Sequence, residues 1–131
     1  MARIAIVDDS RLARTFTAAC LRKQGHEVEE VEPTSIFDVL KAVKESLPDL
    51  MIMDFLMPNC PGTSLARVCH EDAQLRYMRV LVLTAHRDED VTNRLLNMGV
   101  AEVMFKPFEP QTLLDTVAAV LSRPAQAEPE L

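Results

Sequence analysis

Apolar and polar residues follow one another along this chain in blocks, and the period within each block separates strands from helices. Arg3-Ile4-Ala5-Ile6-Val7 is a short apolar run that predicts a strand. It ends in Asp8-Asp9-Ser10, residue types that cap a following helix. From Arg11 to Gln24 the apolar residues Leu12, Phe16, Ala19 and Cys20 share one helical face, which the pattern predicts to be buried. Gly25 stands where a helix C-terminus favours glycine. Glu27 to Val31 alternates polar and apolar, as a strand near a sheet edge does. Ser35 and Asp38 are spaced like a capping box, and Ile36, Leu40, Val43 and Leu47 trace a second helix that Pro48 closes.

Leu50 to Met53 is apolar without interruption, so it predicts a strand buried on both faces, with Asp54 at its carboxyl end. A loop containing Pro58, Pro61 and Gly62 follows, then a short helix marked by Leu65, Val68 and Cys69. Val80 to Leu83 predicts a fourth strand ending at Thr84. Asp88 to Met98 predicts a helix with Val91, Leu95 and Leu96 inward and Gly99 after it. Ala101 to Phe105 predicts the fifth strand, ending in Lys106-Pro107. Pro110 suits a first helical turn, and Leu113, Leu114, Val117, Val120 and Leu121 predict the inner face of the last helix. Residues 123–131, with Pro124 and Pro129, read as a flexible C-terminal tail or linker stub, which leaves 1–122 as one domain. Five strands alternating with five helices predict an α/β fold, a doubly wound parallel sheet covered on both sides with right-handed crossovers. In such sheets ligands bind outside the carboxyl ends of the strands.

Composition narrows the function classes. The chain has 131 residues, enough for one domain with its own core. Its 14 basic and 20 acidic residues give a net charge of −6, which argues against direct electrostatic binding of nucleic acid. The apolar runs fall far short of the ~20 residues a membrane-spanning helix needs. Asp8 and Asp9 break the first run too early for a signal peptide. Three cysteines (Cys20, Cys60 and Cys69) with no CxxC pair fit a reducing, cytoplasmic setting.

The candidate chemistry lies at the predicted carboxyl ends: Asp8 and Asp9 after strand 1, Asp54 after strand 3, Thr84 after strand 4 and Lys106 after strand 5. Each has a plain structural alternative, as a helix cap, a turn carboxylate, a strand-end hydroxyl or a surface cation. Their convergence on one edge makes chance a poor account. Three carboxylates in one cleft repel each other, and a divalent cation removes the conflict; Mg²⁺ prefers such oxygen ligands. A carboxylate such as Asp54 is then a candidate nucleophile toward phosphorus, with Lys106 and Thr84 available to bind phosphoryl oxygens.

These residues resemble a known pattern. Asp8-Asp9 after the first strand, Asp54 with Pro58 four and Gly62 eight positions on, Thr84-Ala85, and Gly99 followed by Lys106-Pro107-Phe108 are similar to the receiver domains of two-component response regulators, in particular to single-domain chemotaxis regulators. The resemblance covers Arg3 to about Ser122. It implies a flavodoxin-like (βα)5 fold with strand order 2-1-3-4-5. It also implies that Asp54 accepts a phosphoryl group from a sensor histidine kinase, a phosphotransfer protein or a small phosphodonor. Asp9, Asp54 and the Leu56 carbonyl would ligate Mg²⁺, Asp8 directly or through water. Thr84 would swing toward the phosphoryl group, Lys106 would pair with it, and the Lys106–Pro107 bond would be cis. Such domains signal, catalysing only their own phosphorylation and dephosphorylation. With no output domain after Leu121, the implied target is a separate protein or an output domain of a longer chain. Helix 4, strand 5 and helix 5, with Arg87, Asp88, Glu89, Asp90 and Arg94, are the implied docking face and a candidate homodimer face.

The chain departs from the pattern in two places. Val103 stands three positions before the lysine, where similar domains usually carry an aromatic ring whose rotamer reports activation. Leu56 and His86, each two positions past a site residue, occupy positions that tune phosphoryl hydrolysis in this family. Leu56 has no group to orient a water, which predicts a long-lived phosphoryl state, and a protonated His86 would make hydrolysis pH-dependent. Three other classes compete. An aspartyl phosphatase needs a second Asp where Leu56 stands. A flavin module needs a Ser/Thr/Gly-rich loop after strand 1. A phosphorylation-independent pseudo-receiver would not require the complete acidic set with Thr84 and Lys106.

Overall fold

The chain alternates strand and helix through ten elements, and a computed structural model describes residues 1–124 of it. The strands are β1 (Arg3–Val7), β2 (Glu27–Val31), β3 (Leu50–Asp54), β4 (Arg79–Thr84) and β5 (Glu102–Phe105). The helices are α1 (Arg11–Lys23), α2 (Ile36–Ser46), α3 (Gly62–Glu71), α4 (Glu89–Asn97) and α5 (Pro110–Ser122). All pairings are parallel, in the order β2-β1-β3-β4-β5. This is the flavodoxin-like order the sequence resemblance implied. The acidic β2 takes one edge; it does not alternate as expected, since Val28 and Val31 pack into opposite core layers, while the uninterrupted apolar β3 and β4 sit inside, where both faces need apolar cover.

Strand alternation sorts the core into two layers. Ile4, Ile6, Leu50, Ile52, Leu81 and Leu83 face Ala18 and Leu21 of α1 and Leu113, Val117 and Val120 of α5. Ala5, Val7, Met51, Met53, Val80 and Val82 face Val39 and Val43 of α2, Leu65 of α3 and Leu95 of α4. Both layers hold the site-bearing strand ends in a fixed frame.

Helix boundaries follow local chemistry. The Ser10 hydroxyl accepts from the Ala13 N–H at 3.2 Å, and the Ser35 hydroxyl accepts from the Asp38 N–H at 3.0 Å, so both expected caps form. Asp88 caps α4 by accepting from Asp90 and Val91. Gly99 leaves α4 at φ 102°, in the left-handed region that a side chain would strain.

Three helices, α1, α2 and α4, depart from the pattern. The buried side of α1 is Arg14, Thr17, Ala18 and Leu21, not the side bearing Leu12, Phe16, Ala19 and Cys20. Leu12 is 83% and Phe16 52% exposed, and Cys20 is only half-buried. The sets 12/16/19/20 and 14/17/18/21 both satisfy helical spacing. The second wins because Ala18 and Leu21 meet the sheet, while Arg14 has a buried partner described below. Leu47 does not line α2 but ends it, at φ 48° in the left-handed region. Leu96 on α4 turns outward. At the far end Arg123 is tied down: its guanidinium donates to the Ala101 carbonyl at 2.7 Å, and its own carbonyl accepts from Arg79 at 2.6 Å. The rest of the expected tail, 125–131, lies outside the described residues.

Candidate functional site

The carboxyl ends of β1, β3 and β5 bring Asp8, Asp9, Asp54 and Lys106 together. Ligand oxygens of Asp8, Asp9 and Asp54 all lie within 4.8 Å of one another. The Lys106 ammonium donates to Asp54 Oδ1 at 3.2 Å and sits 3.9 Å from Asp8 Oδ2. Asp8 is buried, Asp54 and Lys106 are half-buried and Asp9 is exposed, so the cluster forms a cleft with one open side.

Local structure explains each placement. Asp8 follows the last residue of β1, and its Oδ1 accepts from the Ser10 N–H at 2.9 Å, which locks the turn into α1. Ser10 supplies the α1 cap, so the Asp9 carboxylate is not consumed in capping. Asp54 closes β3, and its Oδ1 also accepts from the Phe55 N–H at 3.0 Å. The loop beyond it is folded tightly. The Cys60 N–H donates to Met57 and the Gly62 N–H to the Phe55 carbonyl. A Cβ on Gly62 would come within 2.8 Å of that carbonyl oxygen, so glycine at this position is what lets α3 begin against the loop.

Thr84, buried at the end of β4, accepts from the His86 N–H at 3.0 Å through its hydroxyl oxygen. That leaves the hydroxyl proton free to be donated to another group. The Lys106 N–H bonds the Thr84 carbonyl at 2.8 Å, coupling the ends of β4 and β5. The Lys106–Pro107 peptide is cis, as the resemblance implied. Leu56, two residues past Asp54, exposes 56% of its surface.

Electrostatics follow from the crowding. Burial raises the Asp8 pKa above the ordinary carboxylate value. The Ser10 N–H and the Lys106 charge oppose that rise, and the neighbouring Asp54 and Asp9 charges add to it. The donor set is all oxygen, anionic and already clustered, which fits a small hard dication such as Mg²⁺. Among the described residues this is the one such cluster.

Two contacts were not legible in the sequence. Arg14 Nη1 donates to the Asp8 carbonyl at 2.6 Å, so a helix arginine reaches the backbone of the acidic turn. The only sequence signal was that Arg14 completes the 14/17/18/21 face, where a charge reads as surface. The second contact lies at β5. Val103 is half-buried against the core, and no ring stands there. Instead the Arg87 guanidinium lies 4.8 Å from the ring centre of Phe105, the residue preceding Lys106. Of the charged residues expected on the docking face, Arg87 thus stacks on β5 and Asp88 is used as a cap.

Comparison with known proteins agrees with this geometry. Residues 4–118 match the profile of the response regulator receiver domain. The chain is 33% identical over 122 residues to the protein PilH of Pseudomonas aeruginosa, covering 93% of this chain and 99% of PilH. It is 32% identical over 127 residues to the phosphate regulon transcriptional regulatory protein PhoB of the same organism, covering 97% of this chain but 55% of PhoB, about half of that relative's length. The solved chemotaxis response regulator CheY4 of Vibrio cholerae superposes with a TM-score of 0.83 at 28% identity, covering 92% of this chain and 98% of that one. A response regulator structure from Chloroflexus aurantiacus superposes at 0.84 with 30% identity, covering 93% and 98%. With its topology, its strand-end residues and its sequence in agreement, this chain belongs to the response regulator receiver domain family of two-component systems.

Proposed function

We propose that Asp54 is the phosphoacceptor of this receiver and that the reaction needs Mg²⁺. The observation that carries the reading is the clustering of the Asp8, Asp9 and Asp54 oxygens within 4.8 Å, with the Lys106 ammonium 3.2 Å from Asp54. Asp9 and Asp54 would hold the ion directly, with the Leu56 backbone carbonyl, and Asp8 directly or through a water. Bound there, the ion supplies positive charge for the carboxylates and the incoming phosphoryl oxygens.

The chain's own groups do the rest. One Asp54 carboxylate oxygen attacks phosphorus, forming an acyl phosphate. The bond from phosphorus to the donor breaks, and its electron pair leaves with the donor's imidazole nitrogen or acyl oxygen. Lys106 would pair with one phosphoryl oxygen, and the Thr84 hydroxyl would donate to another. Burial of Asp8 and Thr84 keeps water from one side of the site.

On this reading the phosphoryl group comes from a sensor histidine kinase or a phosphotransfer protein in the cytoplasm. The signal passes through the face of α4, β5 and α5 to a downstream protein or to an output domain of a longer chain, without direct binding of nucleic acid. The same face is the candidate homodimer contact. Residues 1–122 would act as the unit. Among the described residues no helix is long and apolar enough to cross a membrane. A pseudo-receiver role is not favoured, because the acidic set, Thr84 and Lys106 are all present at the strand ends.

The test is incubation with Mg²⁺ and acetyl phosphate, followed by intact mass measurement. The expected result is the added mass of one phosphoryl group, dependent on Mg²⁺ and absent in Asp54→Asn. An adduct that persists in Asp54→Asn would move the acceptor elsewhere. No adduct with acetyl phosphate or with a phosphorylated kinase would leave the pseudo-receiver role standing.

A further inference from the structure

Arg14 is the one buried basic residue among those described, yet it bonds neither Asp8 nor Asp9 through their carboxylates. Its Nη1 donates to the Asp8 backbone carbonyl at 2.6 Å. Its Nε lies 3.5 Å from Glu30 Oε1, and that Nε is buried without a hydrogen-bond partner of good geometry. Glu30 is itself steadied from outside the site: its Oε1 accepts from the Thr15 hydroxyl at 3.0 Å and its Oε2 from Arg22 at 3.4 Å. Arg22 in turn donates to the Val28 carbonyl at 2.9 Å. The guanidinium is thus aimed by an anion on β2 and spends its shortest bond on a peptide oxygen one residue past the end of β1. A polar recess of about 470 Å³ opens beside it, lined by Asp9, Arg11, Arg14, Thr15, Glu30 and Glu32.

The geometry points to Arg14 as a positioning residue for the divalent-cation site, holding the peptide that joins Asp8 to Asp9 and so fixing the direction in which Asp9 presents its carboxylate. The peptide plane is rigid, so pinning the Asp8 oxygen also orients the Asp9 nitrogen and Cα. Asp9 is the exposed member of the cluster and so gains most from a held backbone. Groups beyond the ligands that orient them control metal affinity in this way. The inference rests on the reading of Asp8, Asp9 and Asp54 as a Mg²⁺ site.

Charge and geometry predict opposite signs, which makes the inference testable. As a mere nearby cation, Arg14 would repel Mg²⁺, and its removal would tighten binding. As a positioning group, its removal loosens Asp9 and weakens binding. The experiment is calorimetric titration of Mg²⁺ into the full chain without a phosphodonor, with the fold of each variant followed by circular dichroism. For Arg14→Ala the Kd is expected to rise by about tenfold, the lower end of what loss of an outer-shell partner costs a metal site. Arg14→Lys keeps the charge and can reach the carbonyl or Glu30 but not both, and is expected to fall between Arg14→Ala and wild type. Arg123→Ala, whose guanidinium bonds only Ala101 and Glu102 away from the acidic cluster, is expected to leave the Kd unchanged. An equal or tighter Kd in Arg14→Ala overturns the inference while leaving the Mg²⁺ site intact. Where Arg14→Ala does not fold, Arg14→Lys decides alone, and an unchanged Kd there overturns it. Wild type that binds no Mg²⁺ overturns the metal-site reading and this inference with it.

Discussion

Lys106 and Asp54, 52 residues apart in sequence, meet through an ammonium–carboxylate hydrogen bond of 3.2 Å. The contact exists because β3 and β5 flank β4, and the chain end of each strand opens on the same edge. Without a divalent ion, the Lys106 charge is the nearest counter-charge to Asp54, and it also lies 3.9 Å from Asp8.

On the proposed reading, Lys106 competes with a divalent ion for the same carboxylates while it serves the phosphoryl group. Lys106→Ala is expected to bind Mg²⁺ several-fold more tightly than wild type and to accept phosphate from acetyl phosphate about 10²-fold more slowly, the scale of losing one charge-stabilising donor. The two effects have opposite signs, and calorimetry and phosphorylation kinetics read them separately. A Kd that does not fall would show that Lys106 is not the competing charge.

The raised Asp8 pKa sets a pH dependence. A carboxyl group with a higher pKa folded than unfolded holds its proton longer in the native state. Between the two pKa values the native state binds more protons than the unfolded state, so stability falls as pH rises. The penalty is absent below the unfolded carboxylate pKa and complete above the folded one. At pH 7, without metal, Asp8→Asn removes a buried negative charge beside two others and is expected to raise Tm by several degrees. Mg²⁺ should raise Tm in wild type much more than in Asp8→Asn, and this gap should close as pH falls through the acidic range. Thermal melts with EDTA or Mg²⁺ at several pH values test both parts. A lower Tm for metal-free Asp8→Asn would mean that its bond from Ser10 and its pairing with Lys106 outweigh the crowding.

The helix that follows Asp9 gives a test of packing. Leu12 is 83% exposed, so Leu12→Ser is expected to change stability by no more than about 0.5 kcal/mol. Leu21, fully buried between α1 and the sheet, is expected to cost about 2–5 kcal/mol as Leu21→Ala. Urea denaturation of the two variants distinguishes them. A large loss in Leu12→Ser would restore the face first suggested by the apolar pattern.

That face shows where the sequence is legible and where it is not. The edge position of β2 and the strand-end residues were readable because parallel strands buried on both faces are apolar throughout and their polar residues stand only at the ends, whereas the strand order followed only from the resemblance to receiver domains. The α1 face was not, because Arg14 and Thr17 are polar yet buried, and pattern alone assigns such residues to solvent. Only the three-dimensional partner of Arg14, a backbone carbonyl, accounts for the choice. The stacking of Arg87 on Phe105 was equally hidden, since both residues had ordinary roles open to them, in a solvated loop and in the core.

If Asp54 is phosphorylated as proposed, Leu56 is expected to bear on how long the phosphoryl group lasts. It stands two residues past Asp54, and its side chain is 56% exposed, so water reaches it but finds no hydrogen-bonding group there. Hydrolysis of an acyl phosphate needs a water held in line with the bond that breaks, and a polar side chain at this position could hold one. Leu56→Asn is therefore expected to shorten the phosphoryl lifetime several-fold, with an upper bound of about 10², the lower end of what a positioned polar group contributes to proton and water handling. Loss of the phosphoryl mass over time, in Mg²⁺ buffer without any phosphatase, measures it. Because Leu56 is exposed, the substitution should leave Tm nearly unchanged, so a faster decay would report on water and not on folding. Equal decay in the two proteins would place control of the lifetime elsewhere, with His86, whose N–H already bonds the Thr84 hydroxyl, as the next residue to vary.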